Sequence, residues 1–192
     1  MAIPNSRYKL KQLILYVASK MSGADFFGKT KLNKVLYRAD MACYRDLGVK
    51  LTDFKFQKNT MGPTLRAFLP ITQEMALEGS FRWDSRSAGS FNEDRPVALA
   101  EPDLTVISAE ECLRIDAEIE RAWSLSGKQM SEEEHVTAAW FALQLGETIP
   151  PDLCYVEDPD KMVPLSRSED ARAQAAIERY TARTSTLSNP GA

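Results

Sequence analysis

Apolar residues recur along the first part of the chain at helical spacing. Leu10, Leu13, Ile14, Val17 and Ala18 fall at i, i+3, i+4, i+7 and i+8, which predicts an amphipathic helix over residues 6–21. Lys9, Lys11 and Lys20 lie outside that stripe. A glycine-containing break at 22–28 leads to a second helix over 30–47, with Thr30 as its cap and Gly48 as its stop, because glycine tolerates the left-handed conformation that ends a helix. Leu32, Val35, Leu36, Ala39 and Cys43 form its buried stripe. Lys31, Lys34, Arg38 and Arg45 then lie elsewhere on its surface, as a solvated face or as a binding face.

Residues 51–60 alternate loosely around Leu51, Phe54 and Phe56, the pattern of a short strand. Gly62-Pro63 marks a sharp turn into a helix through Leu65, Phe68, Leu69, Ile71, Met75 and Leu77, either kinked at Pro70 or split in two there, and stopped by Gly79. Phe81-Arg82-Trp83 and residues 97–100 read as strands around a polar loop or hairpin tip at 85–95, and with 54–60 they could form one small antiparallel sheet. Ser108 caps a helix whose apolar face is Cys112, Ile115, Ile119 and Trp123. Ser131 to Glu134 matches a capping box for a helix ending at Gly146, with Val136, Ala139, Trp140 and Leu143 facing inward. A last helix spans about 168–183, and 184–192 is expected to be a disordered tail. The fold class is therefore α+β and predominantly α-helical, a single compact domain over 1–183 of about six helices with a small antiparallel β-sheet.

Composition narrows the classes. A hydrophobic fraction of 44% and a charged fraction of 27% are those of a folded globular protein. No apolar run approaches the roughly 20 residues that cross a bilayer, and no signal-peptide pattern opens the chain, so a cytoplasmic location without membrane contact is expected. Cys43, Cys112 and Cys154 form no paired motif, and His135 is the single histidine, so neither a disulfide framework nor a metal site is predicted. The net charge of −3 hides a split: residues 1–60 carry 12 Lys/Arg against 4 Asp/Glu, whereas residues 61–192 are strongly acidic. Such a split marks a basic patch for an acidic partner or nucleic acid, or two halves of one fold that attract each other.

No phosphate loop, dinucleotide fingerprint, nucleophile elbow or paired-histidine motif is present, so the chain is expected not to be an enzyme and to need no cofactor. His135 is the only candidate general base; its place behind Glu132, Glu133 and Glu134 at a helix start favours a structural role over that of a hydrolase. Trp83, Trp123 and Trp140 sit in apolar patterns and read as core.

One combination is more specific than these. The run from Lys29 to Asp40, KTKLNKVLYRAD, is followed by Tyr44-Arg45, by Met61-Gly62-Pro63, by Leu77 to Phe81, and by Glu134-His135, Trp140 and Gly146 to Pro150. In that order these motifs resemble the Panacea domain, or SocA-like, family over about residues 6–155. Two departures stand out: Met61 occupies a position that is usually aromatic, and Glu134 one that is usually Ser. The resemblance implies a mostly helical domain acting as an antitoxin, which binds and neutralises a protein toxin encoded beside it, by blocking it or by delivering it to a protease. The toxin's identity and the oligomeric state are not given by it. The alternative in another class is a nucleic-acid-binding regulator in which Lys29, Lys31, Lys34 and Arg38 touch phosphates. On the antitoxin reading, the basic residues left over on the second helix and the rigid turn after it are expected to border the toxin contact: Lys31, Lys34, Arg38, Lys58, Gly62 and Pro63.

Overall fold

A computed structural model describes residues 5–88 and 91–155. Helix α1 spans Ser6–Lys20 and α2 Lys29–Leu47. The expected apolar stripe of α1 is buried in full, as is that of α2. Gly28, in extended conformation, holds the N-cap position of α2, so Thr30 is already inside the first turn and does not cap it. Gly48 closes α2 at φ 71°, its N–H donating to the Tyr44 carbonyl.

Helix α2 is the axis of the molecule. It packs against α1, against α4 (Ala109–Ala122), α5 (Gly127–Glu134), β2 (Thr64–Leu65), β4 (Phe91–Ala98) and the 3-10 turn Pro151–Tyr155. A helix contacted on so many sides has no broad solvated face. Twelve of its 19 residues are buried, among them Lys31, Asn33, Lys34 and Asp40. This corrects the expectation that Lys31 and Lys34 lie on the surface: the apolar stripe marks only the driest side of a helix enclosed almost all round.

The sheet content takes the form of two separate antiparallel pairs instead of one three-stranded sheet. Strand β1 (Phe56–Gln57) pairs with β2, and β3 (Phe81–Ala88) pairs with β4. The strand expected over 51–60 is cut short because residues 51–55 wrap round α2, where the Leu51 N–H donates to the Asp40 carboxylate at 2.8 Å. The polar segment 85–95 is mostly strand. Phe81 and Trp83 pack edge to face at their ring centroids, 4.9 Å apart, while Ser85 hydrogen-bonds Asp94 across the ladder on the exposed part of the ribbon. Helix α3 (Phe68–Leu77) is not kinked, because Pro70 falls in its first turn, where a missing N–H leaves no helical bond unmade.

The helix expected over 131–146 divides. Ser126 and Gln129 form a capping box that starts α5 four residues early, and Ser131 lies inside it; Thr137 then caps a short α6 (Ala138–Ala142). His135 is the C-cap of α5 instead of a first-turn residue. Val136 is consequently 74% exposed, not inward-facing, whereas Leu143 is buried as expected. Trp123 caps the C-terminus of α4 and is half-exposed instead of core. The expected helix at 168–183 and the tail at 184–192 lie outside the described residues.

Candidate partner-binding site

The charge split is largely neutralised within the fold. Lys9 meets Glu111 at 2.6 Å in a buried pair, Lys11 meets Glu74 and Glu78 at 2.6 Å each, and Lys29 and Lys20 lie 3.6 Å from Asp94 and Asp116. Arg38 bridges Glu134 at 2.5 Å and Glu133 at 3.1 Å. These five cations from the first 60 residues thus find their counter-ions in the acidic remainder, while Arg45 and Lys50 pair with Asp46 and Asp40 nearby.

Lys31 and Lys34 have a different fate. The Lys31 ammonium, fully buried, donates to the backbone carbonyls of Asp25 at 2.8 Å and Trp123 at 2.9 Å, tying the α1–α2 loop to the end of α4. The Lys34 ammonium donates to the carbonyl of Met61. Burial pushes both amines down to about 8, since the charged form has lost its water. Between them Asn33 accepts from the Leu65 N–H and donates to the Lys29 carbonyl, both at 3.1 Å, and so fixes β2 against α2. Asp40, one turn beyond Tyr37, is pushed up to about 6 by burial, despite the nearby Lys50. Lys31, Asn33, Lys34 and Asp40 of the run KTKLNKVLYRAD are therefore internal struts, binding backbone groups of the segments packed round α2.

The loop 58–63 is held by the same network. Asn59 and Gly62 exchange backbone hydrogen bonds, and Gly62 sits at φ 102°. A Cβ added there would stand 2.4 Å from the Lys34 ammonium, so glycine is required both by the conformation and by the lysine beside it. The Met61 carbonyl also accepts from Ser131 at 3.0 Å, and Pro63 is buried. Lys58 turns the other way, donating to the carbonyls of Trp140 at 2.5 Å and Leu143 at 2.7 Å while lying 4.3 Å above the Trp140 ring. Of the six expected contact residues, Lys34, Arg38 and Gly62 converge round Glu134; Lys58 braces α6, Lys31 braces α4, and none of the four cations stands as an unengaged surface charge.

What the loop leaves exposed is the side chain of Met61, 53% accessible, with a cleft of about 430 Å³ on either side. Phe26, Lys31, Glu93, Asp94 and Lys128 are among the residues lining one; Lys29, Lys34, Pro63, Arg66 and Leu69 are among those lining the other. Sequence reasoning missed Phe26, Arg66 and Leu69, and marked Met61 only as a departure from the family pattern. A trace was available for the first: Phe26-Phe27 precedes a glycine, and Phe27 is fully buried while Phe26 is turned outward at φ 52°.

His135 stacks on Trp140, ring centroids 3.8 Å apart, and its Nε2 is buried without a hydrogen-bond partner. Glu134, where a serine would be needed for a Ser-His pair, is held by Arg38. No group of three or more His, Cys, Asp or Glu side chains poised to hold a metal occurs among the described residues, and none of their helices is long and apolar enough to cross a membrane.

The model of the SocA-like antitoxin family, the Panacea domain, matches residues 32–141. The chain belongs to this family. The matched span runs from the first turn of α2 to the end of α6, so it contains the Lys34–Met61 strut, the Arg38–Glu134 pair and both flanks of the Met61 loop. No curated protein and no solved structure matches the chain. In this Panacea domain, the segment that carries the family pattern is the one most completely engaged in holding the fold together.

Proposed function

We propose that this chain is the antitoxin of a toxin–antitoxin pair, a non-enzymatic cytoplasmic protein that binds a protein toxin and silences it. Membership of the SocA-like family carries this reading. The exposed Met61 side chain with a cleft on each side supports it, because half-exposed apolar residues around concave surfaces are the usual anchors of protein contacts. The reading as a nucleic-acid regulator is weakened: Lys31 and Lys34 are buried and Arg38 is taken by two glutamates, which leaves Lys29, 3.6 Å from Asp94, as the exposed cation of that set.

Co-expression tests the proposal. Each open reading frame flanking the gene is expressed alone and then together with this chain. One product is expected to arrest growth alone and to be harmless in company; if this chain rescues growth from none of them, the antitoxin reading fails. The amount of toxin during rescue separates the two routes: a steady level means blocking, and a level that recovers when proteases are inhibited means delivery for degradation.

A further inference from the structure

The cleft between the first turn of α2 and the start of α3 is chemically one-sided. Its charged lining residues are Lys29, Lys34 and Arg66, and none of its lining residues is Asp or Glu, in a protein whose net charge is −3. The rest of its wall is mixed: Met61 and Leu69, each 53% exposed, stand with Pro63 and Pro70 among uncharged polar residues such as Gln57, Asn59 and Thr64. Lys34 lies within the wall, 1% exposed, its ammonium held by a backbone carbonyl; the acid that acts on it, Glu134, is shared with Arg38 and does not line the cleft. A positive charge buried in this way projects its field into the adjacent concavity, where low-dielectric walls concentrate it. The cleft on the other side of Met61 lacks this bias, since Glu93 and Asp94 face Lys29 and Lys128 there.

We infer that the α2–α3 cleft is the docking groove for the toxin, and that it takes a segment carrying a carboxylate beside a large apolar side chain. The apolar side chain rests on Met61 and Leu69, and the carboxylate turns towards the wall that contains Lys34 and towards Arg66 and Lys29, drawing them from the Gly146 carbonyl and from Asp94. A volume of about 430 Å³ admits several side chains of a partner segment but not a folded domain. The inference rests on the antitoxin reading for the identity of the partner, but the chemistry of the groove can be measured without the toxin.

Random dodecapeptides displayed on phage, selected against the immobilised full chain, provide the probe. Enriched peptides are expected to pair Asp or Glu with a neighbouring Leu, Ile, Met or Phe. One of them, synthesised, should bind Arg66→Glu and Leu69→Asp at least tenfold more weakly and Lys20→Glu, on the far helix, as well as the wild type. Both cleft positions are exposed, and an acid at position 69 suits the first turn of α3, so melting temperatures should stay near that of the wild type. Basic or uncharged winners, no enrichment, or affinity indifferent to both cleft variants would overturn the inference. So would self-association abolished by Leu69→Asp, which would give the groove to a second copy of the chain. If the groove behaves as described but the chain rescues growth from no neighbouring product, the antitoxin reading falls and the groove stands. If rescue occurs and survives both cleft variants, the reverse holds.

Discussion

Two groups of cations from the N-terminal third meet opposite fates. Arg7, exposed on α1, and Lys11, partly buried beside it, reach Glu74 and Glu78, whose carboxylates stay open to solvent. Lys31 and Lys34, on α2, are withdrawn from solvent and bound to backbone carbonyls. The first arrangement exchanges water for a carboxylate at small net gain, as exposed ion pairs generally do. The second supplies donors to backbone carbonyls inside the fold; loss of Lys31 takes the donor from two of them, whereas the Met61 carbonyl bound by Lys34 keeps Ser131. Position, and not charge, decides which lysines hold the molecule together.

The sharpest way to break the comparison is Gly62→Ala. It forces a positive φ on a residue with a side chain and drives a methyl group into the Lys34 ammonium. Destabilisation of about 2–4 kcal/mol is expected in denaturant titrations, since backbone strain of this kind costs about 1–3 kcal/mol and the lost strut adds to it. Lys31→Ala comes next: it strands two carbonyls and should cost about 2–3 kcal/mol.

A pH titration sharpens the contrast. Between about 8 and 10.5 the unfolded chain holds protons that folded Lys31 and Lys34 have shed, so their contribution makes stability rise with pH across that window. The double variant Lys31→Met/Lys34→Met should flatten the rise. Asp40 has the opposite sign: its raised value of about 6 means that its contribution to stability is lost as pH climbs from 3.8 to 6, and Asp40→Asn should remove that slope. The smallest effect is expected on the outer side, where Arg7→Ala should leave the denaturation midpoint nearly unchanged and reduce its sensitivity to salt.

Much of this architecture was legible beforehand. The stripes of α1 and α2, the Gly48 stop and the Ser108 cap follow from spacing and local chemistry, which the fold did not override. The lysines were misplaced because periodicity measures the contrast between two faces of a helix, and α2 has little contrast: tertiary neighbours cover its polar flanks as well. The helix at 131–146 failed for a related reason. Ser126 and Thr137 offer caps of similar local strength to Ser131, and a choice made by Arg38 drawing Glu134 inward is not written in the segment itself. The clefts were invisible because their walls come from stretches far apart in sequence, with Arg66 and Leu69 meeting Lys29 and Lys34 only after folding.

The loop at Met61 separates two duties within one residue. Its backbone carbonyl, clamped by Lys34 and Ser131, serves the architecture, whereas its half-exposed side chain touches neither of those donors' tasks. A residue so divided can change identity at little cost to folding while altering what the surface presents to a partner. Methionine puts a flexible, polarisable chain at this point of the surface, on a pedestal that does not depend on it. Substitution of that side chain alone therefore alters the surface at one point while the clamp on the carbonyl beneath it stays in place.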